Sequence, residues 1–296
     1  MRERAPSLRV ALPMFLLAGL CLSSLDATAK YLVRDHSLFL IVWARYAGQV
    51  LVVTPFAWQR AGHDFWRTRR PGLQLLRSTL LLLATLCFFG GLRFLPLAEA
   101  SSIMYLAPVF VVLLSFPVLG ERSTRASYIA TLVGLAGMLM LLQPGSSLLH
   151  PAALLVLAAA ICNALYQMLT RKLLDEHPHT TLFYSGIVGA VGLSVGLPWA
   201  WDAHLLSWRE GSFLLLLGLC AGLGHWLVTG AYMRAPAALL TPFMYVQLVW
   251  ATAYGYLLFG QLPHALSFVG MVVIASSGLL LALHHRVRMR SAAHAQ

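Results

Sequence analysis

The chain of 296 residues is 59% hydrophobic and only 10% charged, with a net charge of +11 and a mean hydropathy of +0.76. A soluble domain usually carries about 25% charged residues. This composition excludes a cytosolic enzyme, a disordered chain and a disulfide scaffold, and it leaves an integral membrane protein.

A membrane helix needs about 20 predominantly apolar residues. In chain order the predicted spans are Ala11–Val33, Leu38–Trp58, Leu73–Gly91, Pro96–Val118 and Ala126–Leu142. After a break at Gly145-Ser146-Ser147 come Ala152–Thr170, Thr181–Trp199, Ser212–Met233, Ala237–Phe259 and Ala265–Leu283. These ten runs are apolar on all sides, so they do not read as β-barrel strands, which alternate at period two. Arg2, Arg4 and Arg9 precede the first run, and Ala27-Thr28-Ala29 resembles a signal-peptidase site. The length of that run, with Asp26 and Lys30 inside it, favours a retained helix. Cys21, Cys87, Cys162 and Cys220 each fall inside an apolar run without Cys-x-x-Cys spacing, and they read as small core residues.

The basic residues set an orientation. With ten spans and a cytoplasmic N-terminus, 15 of them fall in cytoplasmic segments. These are Arg2, Arg4, Arg9, Arg60, Arg67, Arg69, Arg70, Arg122, Arg125, Arg171, Lys172, Arg234, Arg286, Arg288 and Arg290. Only Arg34, Arg93 and Arg209 fall in outer loops, and Lys30, Arg45 and Arg77 lie within spans. Cytoplasmic loops of membrane proteins carry the Lys/Arg excess. Both termini are therefore expected in the cytoplasm, and the high net charge needs no nucleic-acid partner. The basic tail of residues 284–296 reads as an orientation anchor.

The two halves echo each other. A shift of 140 sets Pro96, Ala98, Met104, Tyr105, Val109 and Gly120 on Pro236, Ala238, Met244, Tyr245, Val249 and Gly260, six identities in 25 positions. Gly90 and Gly230 match at the same shift, and a shift of 141 sets Asp35-His36 on Glu176-His177. Residues 11–142 and 152–283 are then two five-span units. Five is odd, so the second unit inserts upside down relative to the first. Inverted repeats are a recurring transporter architecture, with the substrate site at the repeat interface. The expected fold is an all-α membrane protein of ten transmembrane helices in two inverted five-helix repeats.

Four stretches carry a family resemblance: Phe94-Leu95-Pro96-Leu97-Ala98-Glu99-Ala100, Tyr105-Leu106-Ala107-Pro108, Leu119-Gly120-Glu121-Arg122 and Gly134-Leu135-Ala136-Gly137. They resemble the EamA-type pattern of the drug/metabolite transporter superfamily over nearly the whole chain. Asp26-Ala27-Thr28-Ala29-Lys30 and Arg45 look like its S-adenosylmethionine- and riboflavin-transporting branches. The resemblance implies a ten-helix basket that moves small organic metabolites, with export the commoner role. The second half departs from the pattern, because Gln261 stands where the repeat expects the counterpart of Glu121.

Charge inside a bilayer is costly and usually faces a cavity or a partner. Asp26 and Lys30 share one face of the first span. With a rise of 1.5 Å per residue, Asp26 and Arg45 both sit roughly 10 Å below the outer surface. Lys30 and Glu99 lie nearer that surface. The four groups read as a polar rim for a zwitterionic or anionic substrate, with Arg45 as a carboxylate or phosphate fork. The alternative is a set of structural ion pairs, with Lys30, Glu99 and the more cytoplasmic Arg77 snorkelling to headgroups. The second half offers Asn163, Gln167, His225 and Gln247 near the midplane, while Tyr105 of the first half and Tyr166, Tyr184, Trp226, Tyr245 and Trp250 of the second add aromatic surface at similar depth. An aromatic cavity with a few amides suits a planar or amphipathic ligand. Interhelical hydrogen bonding is the alternative for the amides. His225 has the chemistry of a proton carrier or of a buried hydrogen-bonded histidine. Pro108 and Pro242 read as gate hinges or static kinks.

No zinc motif is present, Ser185-Gly186 lacks the companions of a serine protease, and no cofactor is expected. A non-transporting receptor or scaffold would leave the midplane polar groups without a cavity. The expected function is alternating-access transport in the cell inner membrane, and the resemblance implies export or uptake of an amino-acid-, nucleoside- or flavin-like solute, with Asp26, Lys30 and Arg45 leaning toward uptake. Substrate, direction, coupling ion and homodimerisation stay open at this point.

Overall fold

The computed structural model describes residues 8–119, 125–141, 150–173, 175–200, 207–235, 240, 243 and 246–276. Among these residues the regular structure is helical throughout. The helices are α1 (Leu8–Leu32), α2 (Leu38–Ala61), α3 (Pro71–Leu92), α4 (Leu97–Met104), α5 (Ala107–Leu119) and α6 (Arg125–Leu141). They are followed by α7 (Ala152–Arg171), α8 (Pro178–Ala200), α9 (Trp208–Tyr232), α10 (Val246–Phe259) and α11 (Ala265–Ser276). Seven segments are long and apolar enough to cross a membrane, with α4 and the start of α5 counted as the single segment Leu97–Ser115. The described parts of α6, α10 and α11 are shorter.

The predicted fourth span is broken, and the reason is local. Pro108 has no N–H, and its ring excludes the carbonyl four residues earlier, which here is Met104. The chain answers with a tight turn. Tyr105 N–H is shared between the Ser101 and Ser102 carbonyls, and Leu106 N–H donates to Ile103 at 3.0 Å. The helix restarts when Val109 N–H reaches the Leu106 carbonyl at 2.9 Å. Pro242, in the matching span of the second half, lies outside the described residues, as do Glu121, Arg122 and the tail of residues 284–296.

The packing has a two-fold pattern. α1 packs on α9 as α3 packs on α7, and α2 packs on α9 as α8 packs on α3. The contact of α1 with α10 answers that of α7 with α4 and α5, while α2–α8 and α4–α10 map onto themselves. Exchange of the halves reproduces these larger contacts. Direction follows from α3: its end meets Lys30, near the end of α1, and also Ala152 and Val156, at the start of α7. α1 and α7 are thus antiparallel, and the second repeat is inverted.

Small residues bring backbones together where the halves meet, as membrane helix packing favours. A Cβ added to Gly48 of α2 would lie 2.4 Å from Gly218 Cα of α9. One added to Gly189 of α8 would lie 2.4 Å from the Tyr46 ring. Many large apolar side chains are instead exposed: Leu51, Val195 and Leu257 are 74%, 70% and 73% accessible. Such a surface suits lipid, because it is apolar on the outside of the bundle.

The loops sort into two ends. At one end, Arg69 N–H donates to Glu176 Oε1 at 2.9 Å, Arg70 Nη1 to the Lys172 carbonyl at 3.0 Å, and Lys172 Nζ to the Val118 carbonyl at 2.9 Å. At the other, Phe94 stacks on His150 at 4.9 Å, and His36 reaches Glu210 at 3.3 Å. Glu210 also closes a capping box with Ser207 that satisfies free N–H groups at the start of α9. The first end gathers Arg60, Arg67, Arg69, Arg70, Arg171, Lys172 and Arg234, and is called the basic end below.

Candidate substrate cavity

A cavity of about 230 Å³ opens between the two repeats. Its walls come from α1, α2, α3, α4 and α5 on one side, and from α7, α9 and α10 on the other. Of the side chains singled out in the sequence, Asp26, Arg45, Tyr105, Asn163, Gln167, His225 and Gln247 line it together.

The lining follows the repeat. Leu22 and Asp26 of α1 correspond, at the shift of 141, to Asn163 and Gln167 of α7, and all four border the cavity. Thr85 of α3 corresponds, at the shift of 140, to His225 of α9, and Ala107 of α5 to Gln247 of α10. These four border it as well. Equivalent positions converge because each lies at the same depth on an equivalent helix.

Among the described buried basic groups, Arg45 is the least satisfied. It is 5% exposed, and its Nη2 lies 3.2 Å from His225 Nε2. Its guanidinium sits 4.4 Å above the Tyr46 ring. Nε and Nη1 have no hydrogen-bond partner. Tyr46 is itself tied down, with its hydroxyl 2.9 Å from Thr85 Oγ1. Asp26 faces the same cavity, yet among the described residues no nitrogen of Arg45 or of any other base comes within 4.0 Å of its carboxylate. The two charges share a chamber without forming the ion pair that the sequence left open. The side-chain amides of Asn163, Gln167 and Gln247 border the cavity and make no hydrogen bond among the described residues. Only the backbone carbonyl of Gln247 is engaged, by Ser23 Oγ at 3.3 Å.

The other singled-out residues are elsewhere. Lys30 is 3% exposed and donates to the Leu92 and Leu95 carbonyls, which satisfies backbone at the end of α3. Its Nζ also lies 5.5 Å from the Phe259 ring centroid. Glu99 is buried in the first turn of α4. Arg77 does not snorkel. It donates to Thr170 Oγ1 at 2.6 Å, the Thr181 carbonyl at 3.1 Å, Ser185 Oγ at 2.8 Å and Tyr166 Oη at 2.7 Å. Tyr166 is thereby held as an acceptor beneath the guanidinium, 4.3 Å from its ring. Tyr184 donates to the Trp66 carbonyl at 3.0 Å near the basic end, and Trp226 stacks on Phe56 at 4.8 Å. Tyr245 lies outside the described residues.

Sequence reasoning missed part of the wall: Thr85, Phe88, Phe89, Ser101 and Met104. The repeat held a signal for Thr85, because it is the counterpart of His225. Phe88 and Phe89 lack such a signal, since a phenylalanine in a membrane span is ordinary. The chamber offers one guanidinium with free donors, one carboxylate, three amides and an aromatic wall. Among the described residues, no group of three or more His, Cys, Asp or Glu could hold a metal ion.

The family model of the EamA-like transporter family matches the chain twice, over residues 9–143 and 150–283. A protein of Rickettsia bellii named S-adenosylmethionine uptake transporter is 28% identical over 284 residues, covering 95% of this chain and 96% of its own. A Pseudomonas aeruginosa protein named pseudopaline exporter CntI is 30% identical over 273 residues, with 90% and 93% covered. A solved crystal structure superposes with a TM-score of 0.69 at 21% identity, covering 93% of this chain and 98% of that one, and shows the same fold.

Proposed function

The chain belongs to the EamA-like transporter family, and from that premise we propose that it carries a zwitterionic, amino-acid-bearing metabolite through the cavity between its repeats. The observation that carries this reading is Arg45, a buried guanidinium whose Nε and Nη1 lack partners while Asp26 shares its chamber unpaired. A buried charged donor left unsatisfied is expensive. A substrate carboxylate would satisfy it with charge-assisted bonds. Asp26 would hold the substrate's cationic group, and Asn163, Gln167 and Gln247 its polar edges. Phe88, Phe89 and Tyr105 would cover a planar or apolar portion. One relative is named for S-adenosylmethionine, a methionine derivative with an adenosyl group, and this chemistry fits both the charges and the aromatic wall.

Mechanistically, residues 11–142 and 152–283 are the two units that rock about the cavity, so that it faces each side of the membrane in turn. In this reading the protein is a multi-pass protein of the cell inner membrane, its basic end faces the cytoplasm, and both termini lie on that side. The observation behind this orientation is the Lys/Arg asymmetry between the two ends.

Counterflow in proteoliposomes tests the transport reading without assuming a direction. Vesicles preloaded with unlabelled S-adenosylmethionine should accumulate the radiolabelled compound transiently, and Arg45→Ala vesicles should not. Accumulation no greater than in protein-free liposomes would sink this substrate. Orientation is tested separately by an impermeant thiol reagent on single cysteines placed at Asp64 and at Asp35. Reaction of the first from the periplasmic side would reverse the assignment.

A further inference from the structure

Between the cavity and the basic end runs a fully buried polar seam that the substrate chamber does not use. α8 lays one face along it. Thr181 accepts from Gln74 Nε2 at 3.2 Å through its hydroxyl and from Arg77 through its carbonyl. Ser185, four residues on, accepts from Arg77 at 2.8 Å. Gly186 packs against α2, where an added Cβ would lie 2.9 Å from Val50 Cγ2 and 3.6 Å from Gln49 Cγ. Gly189 then sits on Tyr46, whose hydroxyl reaches Thr85 in the cavity wall. Buried polar side chains thus recur along this face from Thr85 and Tyr46 to Gln74.

Several of these groups are poorly satisfied. Gln49 is 0% exposed, and neither its Nε2 nor its Oε1 has a partner. Ser78 Oγ and Gln74 Oε1 are also buried without partners. Arg77 is 3% exposed, and its hydrogen-bond partners on α7 and α8 are all neutral oxygens. A static membrane core selects against such a set, because each unsatisfied group costs free energy. Polar and charged groups at this depth are tolerated where they line water. The seam joins the halves, since Arg77 of the first clasps α7 and α8 of the second.

We propose that this seam is the closed form of the aqueous passage from the cavity to the basic end. In the alternate state the Arg77 clasp parts, water reaches Gln49, Ser78 and Gln74, and the chamber opens toward the side of the basic loops. The passage takes water and, in transit, the polar end of the solute. The solute part of this assignment rests on the transport reading above, and the hydration of the seam does not.

The test is accessibility to the hydrophilic, charged thiol reagent MTSET, with the full-length protein in liposomes and its four native cysteines replaced by alanine. Ser78→Cys and Ser185→Cys should react at least about tenfold faster than Ala159→Cys, a 0% exposed apolar position on α7. Reaction of both at the rate of Ala159→Cys would overturn the passage. Gln49→Leu supplies a second readout. It removes two orphaned amide atoms and favours the closed, dry state, so the melting temperature should rise by about 2–4 °C. S-adenosylmethionine counterflow should fall roughly fivefold. A higher melting temperature with unchanged counterflow would mark the seam as static packing. MTSET reaction at both serine positions, with no counterflow in the parent protein, would keep the passage and remove the proposed substrate. Counterflow with an unreactive seam would do the reverse.

Discussion

The two repeats share a scaffold and differ in chemistry. At equivalent positions on α1 and α7, the first repeat places Asp26 where the second places Gln167, and Leu22 where the second has Asn163. On α3 and α9 it places Thr85 against His225. Arg45 of α2 corresponds at the shift of 141 to Gly186 of α8, which packs on α2 instead of bearing a charge. Full charges come from the first repeat, and neutral hydrogen-bonding groups come from the second. Backbone geometry must stay near-symmetric for the halves to exchange roles in alternating access. The side chains at their interface need not match, and the proposed substrate, with unlike ends, would need unlike walls.

The largest effect is expected from removing the charge that only one repeat has. Arg45→Ala takes away a charged donor whose bonds are worth about 1.5–3 kcal/mol, so substrate affinity should fall roughly 10- to 150-fold. Isothermal titration with S-adenosylmethionine measures this, and affinity within twofold of the parent would exclude Arg45 as the anchor. A comparison of glycines comes next. Gly48→Ala drives a methyl into Gly218 backbone at 2.4 Å and should cost about 1–3 kcal/mol. Gly192→Ala, on α8 with nothing within 4 Å of the new Cβ, should melt no lower than the parent. Equal melting of the two variants would contradict the close α2–α9 crossing.

Asp26→Gln makes α1 match its counterpart in α7 and so tests the asymmetry directly. Affinity should fall by roughly tenfold, toward the lower end for a charged bond because water reaches this partly exposed position. Selectivity for zwitterions over anions should fall with it, as binding of a cation-free analogue would report. The smallest effects belong to the neutral wall. Gln247→Leu and Asn163→Leu each remove bonds worth about 0.5–1.5 kcal/mol, a loss of roughly 2- to 13-fold in affinity with no loss of melting temperature. Lower melting with unchanged affinity in both would assign these amides to helix packing.

Depth was legible along the chain, and orientation around each helix was not. Counting residues from the end of a span placed Asp26, Arg45, Asn163, His225 and Gln247 at heights where they could meet, and they do border one cavity. The same counting put Lys30, Glu99 and Arg77 among the candidates. It carries no information on which helix each side chain faces. Lys30 turns to the carbonyls that end α3, and Arg77 to hydroxyls of α7 and α8. Gln49 gave no signal of its own, because one amide in an apolar helix looks the same whether it faces a neighbour, a cavity or a closed passage.

What the sequence by itself determined is what lipid dictates in one dimension. The hydrocarbon core demands backbone groups satisfied within each helix and side chains apolar over a fixed length. Helical class, the inverted repeat, the basic end and the positions of most spans among the described residues could therefore be read from composition, charge placement and a shift of 140. Tertiary structure alone decided which polar groups the bundle satisfies and which it leaves without partners. Arg45 and Arg77 are both arginines in membrane spans, yet Arg77 has four hydrogen bonds to protein oxygens and Arg45 has two nitrogens without a partner. That difference arises from the rotation of α2 and α3 against the opposite repeat, set by close contacts such as Gly48 on Gly218, and packing of that kind is a property of helix pairs.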